Sequence, residues 1–399
     1  MDFQYFKKKI ADVKIKDILT IFPFMGAFVL SKVIGKKYRN YWLVCEDAME
    51  ARDNGYWFFK YLCENTDVQC CYAIKSTSPD YHKVEELGPL IEYGSFKHWL
   101  VYLSCKYNIS SQKGGKPNAA LCAFLELNNI VKVKNVFLQH GVIINDTKWL
   151  YAENSKIDYF ITSTSQETSF IRKLFGYKEN VIQYTGLPRF DNLHDFKTVH
   201  NRILIMPSWR AWFYEKSAQI DESDADFAHS DYLRYWKELI SSSVLNQIIH
   251  DKGLEVIFYP HRNMQPFLHY FDGITDDVTI ASCEEYDVQE LLKSSELLIT
   301  DYSSVFFDMV YMKKPVVFFQ FDEEKFRKQQ YQKGYFDYHN TAFGDYCTSA
   351  EEVLSSLSKH IDDSYAVTEE FLLEHSQVFE KYDTHNSRRI YEVLSVNLP

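Results

Sequence analysis

At 399 residues, with 46% apolar and 17% aromatic side chains, the chain holds material for two cores and is no disordered polymer. Its net charge of −11 is uneven: residues 1–40 carry +6, from eight lysines and Arg39 against Asp2, Asp12 and Asp17, which leaves −17 for the rest. An acidic body argues against a nucleic-acid binder, and eight cysteines without a C-x-x-C pair, behind no signal-peptide layout, read as buried thiols of a reducing cytoplasm.

In chain order, ILTIFPFMGAFVLSKVI (18–34) comes first. It is short for a spanning helix and contains Pro23; apolar bulk flanked by lysines fits a segment lying in an anionic membrane interface, or else a buried first helix. From residue 41 short apolar runs alternate with helical spacing: YWLVCE (41–46), VQCCYAI (68–74), NVFLQHG (135–141), IDYFITS (157–163) and NVIQY (180–184) as strands, with a helix over DNGYWFFKYLCEN (53–65). TGLPRFDNL is a turn rich in breakers. The pattern restarts with RILIMP (202–207), a long amphipathic helix over 232–250, and strands LEVIFYP (254–260), VTIAS (278–282), ELLIT (296–300) and PVVFFQF (315–321). Helical stretches near 350–360, 367–380 and 385–396 finish the chain. The expected fold is α/β: a segment 1–40, then two Rossmann-like domains over 41–196 and 197–399, parallel sheets facing a central cleft, with terminal helices returning to the first domain.

Four expected strands run into polar clusters: His140-Gly141, Pro207-Ser208-Trp209-Arg210, Pro260-His261-Arg262 and Thr300-Asp301-Tyr302-Ser303-Ser304. In open parallel sheets ligands bind outside the carboxyl ends of the strands, where all four would lie. Ser303 and Ser304 are ordinary helix caps taken singly; together, at a helix start, they offer donors to a phosphate. Asp308, one turn further, accepts from a ribose hydroxyl on one reading and from water alone on the other. His140, beside the permissive Gly141, and His261 are the candidate catalytic pair, one deprotonating a hydroxyl and the other stabilising a phosphate. Arg189, Arg210 and Arg262 supply permanent charge for phosphate contacts.

Other patterns carry less. Asp224-Ala225-Asp226 has a D-x-D form inside an acidic loop, and GGKP (114–117) lacks the spacing of a phosphate loop. No G-x-G-x-x-G, G-x-S-x-G or zinc-ligand spacing occurs, which removes most support for dehydrogenase, hydrolase and zinc-enzyme readings. Phosphoryl transfer often recruits magnesium, but no protein cage for it stands out.

Taken together, WLVCEDAMEARDNGYWFFKYL, SPDYHKV, FLQHGV, TGLPRFD, MPSWR, YPHR, LLITDYSSVFFD and GYFDY resemble the CDP-glycerol glycerophosphotransferases of teichoic-acid and capsular polymer synthesis. The resemblance implies a GT-B-like architecture, peripheral attachment to the cytoplasmic face of the membrane, a CDP-polyol donor and a lipid-linked or growing polymer acceptor. It implies that His140 is the base, that His261, Ser303 and Ser304 hold the pyrophosphate, and that Ser208, Arg210, Arg189 and Asp308 complete the donor site. Where many members read H-G-T-P, this chain has Gly141 followed by Val142, Ile143 and Ile144. The expected reaction moves a polyol-phosphate, glycerol-phosphate first, and releases CMP. Its rivals are a GT-B glycosyltransferase using a nucleotide-sugar and an inactive scaffold of the same machinery.

Overall fold

The computed structural model describes residues 21–214 and 226–396. Most of the basic segment before residue 21, and Asp224 and Ala225 of the D-x-D form, lie outside the described residues. Contacts divide the chain into two compact units. The first comprises the residues up to Val142, Thr147–Asn192 and the stretch from Asp383 onward; the second comprises Ile143–Asp146 and Leu193–Tyr382.

In the first unit seven strands form one parallel sheet: β1 (Trp42–Val44), β2 (Cys70–Ile74), β3 (Leu90–Glu92), β4 (Tyr107–Ser110), β5 (Lys134–Phe137), β6 (Tyr159–Thr162) and β7 (Ile182–Tyr184). Their spatial order is β3-β2-β1-β4-β5-β6-β7, so the winding reverses between β1 and β4. The second unit repeats the plan with β8 (Arg202–Met206), β9 (Glu255–Phe258), β10 (Val278–Ile280), β11 (Leu297–Thr300), β12 (Val316–Phe319) and β13 (Gly344–Cys347). Its order is β10-β9-β8-β11-β12-β13, all parallel, reversing between β8 and β11. Each unit is therefore Rossmann-like, and each has a switch point where parallel sheets bind ligands.

The cores follow from the period of two in a strand. Ile203 and Ile205, Val256 and Phe258, Leu297 and Ile299, and Val317 and Phe319 line one face of the second sheet and pack on Trp236 and Leu239. The opposite face carries Phe318, which meets Phe306 edge-on at 5.1 Å. Because both faces are covered, these strands read as unbroken apolar runs. In the first unit Leu43, Cys45, Cys71 and Ala73 build the same kind of layer against Trp99 and Val101.

Three expectations change. The single helix over 232–250 is two, Asp231–Ile240 and Ser243–Lys252, because Ser242 turns its hydroxyl to the Val244 N–H (3.2 Å) and caps the second. The boundary between units falls after Asn192 rather than after 196. Of the terminal helices, Ala350–Asp362 and Glu369–Val378 belong to the second unit and Asn386–Ser395 to the first. The last is anchored by Asp191, which accepts from the Asn386 and Ser387 N–H groups at 2.8 Å each, and by the Tyr107 hydroxyl on Leu394 O at 3.0 Å. Gly186, with φ +88°, lies so close to Asn386 that a Cβ would collide with its amide. Gly186→Ala should therefore cost roughly 1–3 kcal/mol from the left-handed backbone alone, read as a lower urea midpoint.

All eight cysteines are free thiols. Among the described residues, no helix is long and apolar enough to cross a membrane. The first described helix, Ile21–Ile34, buries Ala27 and sets Phe24 edge-on to Trp99 at 5.2 Å, while Phe22, Met25, Val29 and Val33 stay 58–72% exposed along its other side.

Candidate active site

The first unit builds its site on the start of helix Asn54–Asn65 and the end of β5. Asp53 holds the N-cap position in an extended conformation, yet its carboxylate makes no cap hydrogen bond. It faces His140 instead, with Nδ1 to Oδ2 at 2.6 Å, and its other oxygen accepts from Arg189 Nη1 at 2.9 Å. Arg189 Nη1 also donates to the His140 carbonyl at 2.5 Å. Asn54 ties the group together: its Oδ1 accepts from the Arg189 N–H at 3.0 Å, and its Nδ2 donates to the Gln139 carbonyl at 2.8 Å.

His140 reaches this place through a left-handed turn at Gln139, φ +66°, whose buried side chain donates to the Ile161 carbonyl. The left-handed residue is thus Gln139; Gly141, expected to permit close backbone approach to a ligand, lies partly exposed. With Nδ1 engaged by Asp53, Nε2 is the nitrogen left to take a proton, on a side chain 68% exposed. The Asp53 charge and hydrogen bond raise His140 above its ordinary 6.5, outweighing the opposing Arg189 charge. Burial by itself would raise Asp53, but His140 and Arg189 outweigh it and hold the carboxyl below its usual range. Arg189, expected among the donor-site residues, is 5% exposed and turned inward onto Asp53.

Beneath these groups lies Glu46, just past β1 and 2% exposed. Its carboxylate accepts from three backbone N–H groups: Tyr56 at 2.7 Å, Arg52 at 3.0 Å and Asp53 at 3.2 Å. Burial and then the Asp53 charge push it up to about 8, against those hydrogen bonds.

The second unit gathers its groups at the switch point between β8 and β11. Asp301 Oδ1 accepts from the Ser208 N–H at 2.8 Å and the Tyr302 N–H at 2.7 Å, so the loops after the two central strands are joined. Arg210 is fully buried. Its Nη2 meets Asp301 Oδ2 at 2.8 Å, Nε and Nη2 grip Asp322 at 2.8 and 3.0 Å, and Nη1 donates to the Ser208 hydroxyl at 3.1 Å. With every nitrogen engaged inside the protein, Arg210 has no donor for a phosphate; Asp301 is likewise enclosed, and both brace the loop rather than face a ligand. Asp308, expected to meet a ribose hydroxyl, is 1% exposed on the six-residue helix Phe306–Tyr311.

Ser303, Ser304, His261 and Arg262 reach the surface. Ser303 and Ser304 are partly exposed, and the Ser303 hydroxyl accepts from the Val305 N–H at 3.4 Å. His261 accepts from the Asn263 N–H at Nδ1 (3.1 Å). Trp209 stacks over it at 6.3 Å, and the loop is held by the His261 N–H on Pro207 O at 2.9 Å. Pro260 is buried and accepts from Gln265 Nε2 at 2.7 Å, and Arg262 is exposed. Among the described residues, no three His, Cys, Asp or Glu side chains gather as a metal cage.

Sequence reasoning singled out His140 and Arg189 but not Asp53, Asn54, Glu46 or Asp322. The first three lie in the run CEDAMEARDNG, where an acid before Asn-Gly at a helix start reads as an ordinary cap.

Residues 27–395 match the family described as CDP-Glycerol:Poly(glycerophosphate) glycerophosphotransferase. The chain is 28% identical, over 360 residues, to the minor teichoic acid biosynthesis protein GgaB of Bacillus subtilis, covering 88% of this chain and 39% of that protein. It is 24% identical, over 370 residues, to the teichoic acid poly(glycerol phosphate) polymerase of Bacillus spizizenii, covering 83% of this chain and 86% of that one. Among solved structures, the wall teichoic acid polymerase TagF superposes with a TM-score of 0.64 at 17% identity, covering 96% of this chain and 98% of that one. That likeness shows a GT-B-like fold.

Proposed function

Because the chain belongs to the CDP-glycerol:poly(glycerophosphate) glycerophosphotransferase family, we propose that it transfers glycerol-phosphate from CDP-glycerol to a hydroxyl of a growing cell-envelope polymer. The observation that carries this reading is His140 held by Asp53 with its second nitrogen on the open side. The acceptor hydroxyl loses its proton to His140 Nε2 as its oxygen bonds to the phosphorus that bears glycerol. The anhydride bond to the cytidylyl phosphate breaks, and CMP leaves with the electron pair. Little leaving-group protonation is required, so positioning and charge stabilisation do most of the work. In the second unit the partly exposed Ser303, Ser304 and His261 and the exposed Arg262 supply the hydroxyl, imidazole and guanidinium chemistry that suits a diphosphate. The test is transfer of radiolabelled glycerol from CDP-glycerol to a membrane acceptor, with CDP-ribitol and nucleotide-sugars alongside. Label carried only from CDP-glycerol supports the reading, and label from a nucleotide-sugar overturns it.

The acceptor is lipid-linked on this reading, and the helix Ile21–Ile34 is the membrane-facing surface on the cytoplasmic side. Its exposed stripe of Phe22, Met25, Val29 and Val33 is joined at its C-terminal end by exposed Lys32, Lys36, Lys37 and Arg39, the arrangement that suits an anionic interface. Two apolar side chains contribute about 1.5 kcal/mol each on burial, so Met25→Asp with Val29→Asp should weaken binding to anionic vesicles by roughly a hundredfold. Co-sedimentation with vesicles checks this, and unchanged binding would place the contact elsewhere.

A further inference from the structure

We propose that Glu46 is a positioning residue for His140: it takes over the capping of helix Asn54–Asn65 and so frees the Asp53 carboxylate to hold the base. The proposal rests on the role given to His140 above. An aspartate at an N-cap ordinarily turns its side chain to the N–H groups of the second or third helical residue. Asp53 stands at that position and makes no such bond. The N–H of Tyr56, the third helical residue, goes to Glu46 Oε1 at 2.7 Å, and Glu46 also takes the Arg52 and Asp53 N–H groups that lead into the helix.

A carboxyl group that comes seven residues before the cap position and is 2% exposed is a costly substitute for a cap already present in the sequence. The arrangement makes sense because Asp53 is engaged elsewhere, by His140 at 2.6 Å and Arg189 at 2.9 Å. Room for it comes from Gly55, where a Cβ would lie 2.7 Å from Glu46 Cγ and 2.9 Å from Oε1. With Glu46 gone, the unpaired N–H groups and the positive end of the helix compete with His140 for Asp53.

Glu46→Ala removes the substitute cap, and Gly55→Ala displaces it without touching Asp53 or His140 and with a better helix former. The His140 imidazole is titrated by NMR in the parent and both variants, its signal identified by its loss in His140→Ala, with Asp53→Asn as the reference for a histidine without its partner. The expected result is a His140 midpoint moved down toward that of Asp53→Asn in both variants. The kcat for CMP release should fall about 10²-fold, the effect of misplacing a catalytic group by an ångström, with KM for CDP-glycerol within about twofold. If both variants keep the parent's His140 midpoint and lose only thermal stability, Glu46 is a helix cap and the proposal is overturned. If the parent itself releases no CMP, the transferase reading fails, while the titration still decides the case of Glu46.

Discussion

His140→Ala should lower acceptor-dependent CMP release from CDP-glycerol by about 10²- to 10⁴-fold, the range over which a positioned general base acts, and leave CDP-glycerol binding intact. The exposed ring packs on little, so the loss will appear in kcat rather than in folding. Asp53→Asn should fall between parent and His140→Ala. It keeps the shape but removes the charge that raises His140 above 6.5. The sign follows from the base having to be unprotonated. In the parent kcat/KM rises with pH through a midpoint above 6.5; in Asp53→Asn that limb moves to lower pH, and the plateau drops because a weaker base accepts the proton. A pH–rate profile of the two proteins checks both points. A limb that stays in place would remove Asp53 from the mechanism.

Arg210→Met should unfold the second unit more easily by about 3–5 kcal/mol, a fall in Tm of roughly 10 °C. Removing this guanidinium leaves Asp301 and Asp322 buried without their counter-charge, and it releases the Ser208 loop from the loop after β11. Arg210→Lys would not rescue it, because one ammonium cannot span both carboxylates. A surface arginine contacting phosphate behaves in the opposite way: its loss raises KM and leaves Tm unchanged. Thermal unfolding with and without CDP-glycerol distinguishes the two, and an unchanged Tm with a raised KM would return Arg210 to the donor site.

The contrast shows what the sequence could tell. A polar cluster after an apolar run is a local signal, so the loops after β5, β8, β9 and β11 were legible as the chemical edge of each sheet. Which way a side chain turns is not local. Arg210 and Asp322 are 112 residues apart, and Arg189 and Asp53 are 136 apart, so nothing near either arginine shows that its charge is spent inside the protein. Asp53 looks like a cap because its true competitor, Glu46, reaches it from the end of another element.

The missed strands have similar causes. In β4, Asn108 and Ser110 are buried polar residues with only Ile109 as an aliphatic, and Asn108 Nδ2 is bonded to Gly115 O at 3.4 Å and Asn135 Oδ1 at 3.3 Å. A central strand stabilised by side-chain amides shows neither an apolar run nor alternation. At the sheet edges, β3 has three residues, and β13 (Gly-Asp-Tyr-Cys) carries turn-type composition.

In the proposed mechanism a nucleoside monophosphate leaves while His140 takes the proton. Its most direct test is the nucleotide released when purified protein, CDP-glycerol and a crude membrane acceptor are incubated together, with His140→Ala run in parallel. Acceptor-dependent CMP is expected from the parent and little or none from the variant. Equal CMP from both proteins, or no acceptor-dependent CMP from the parent, would overturn it.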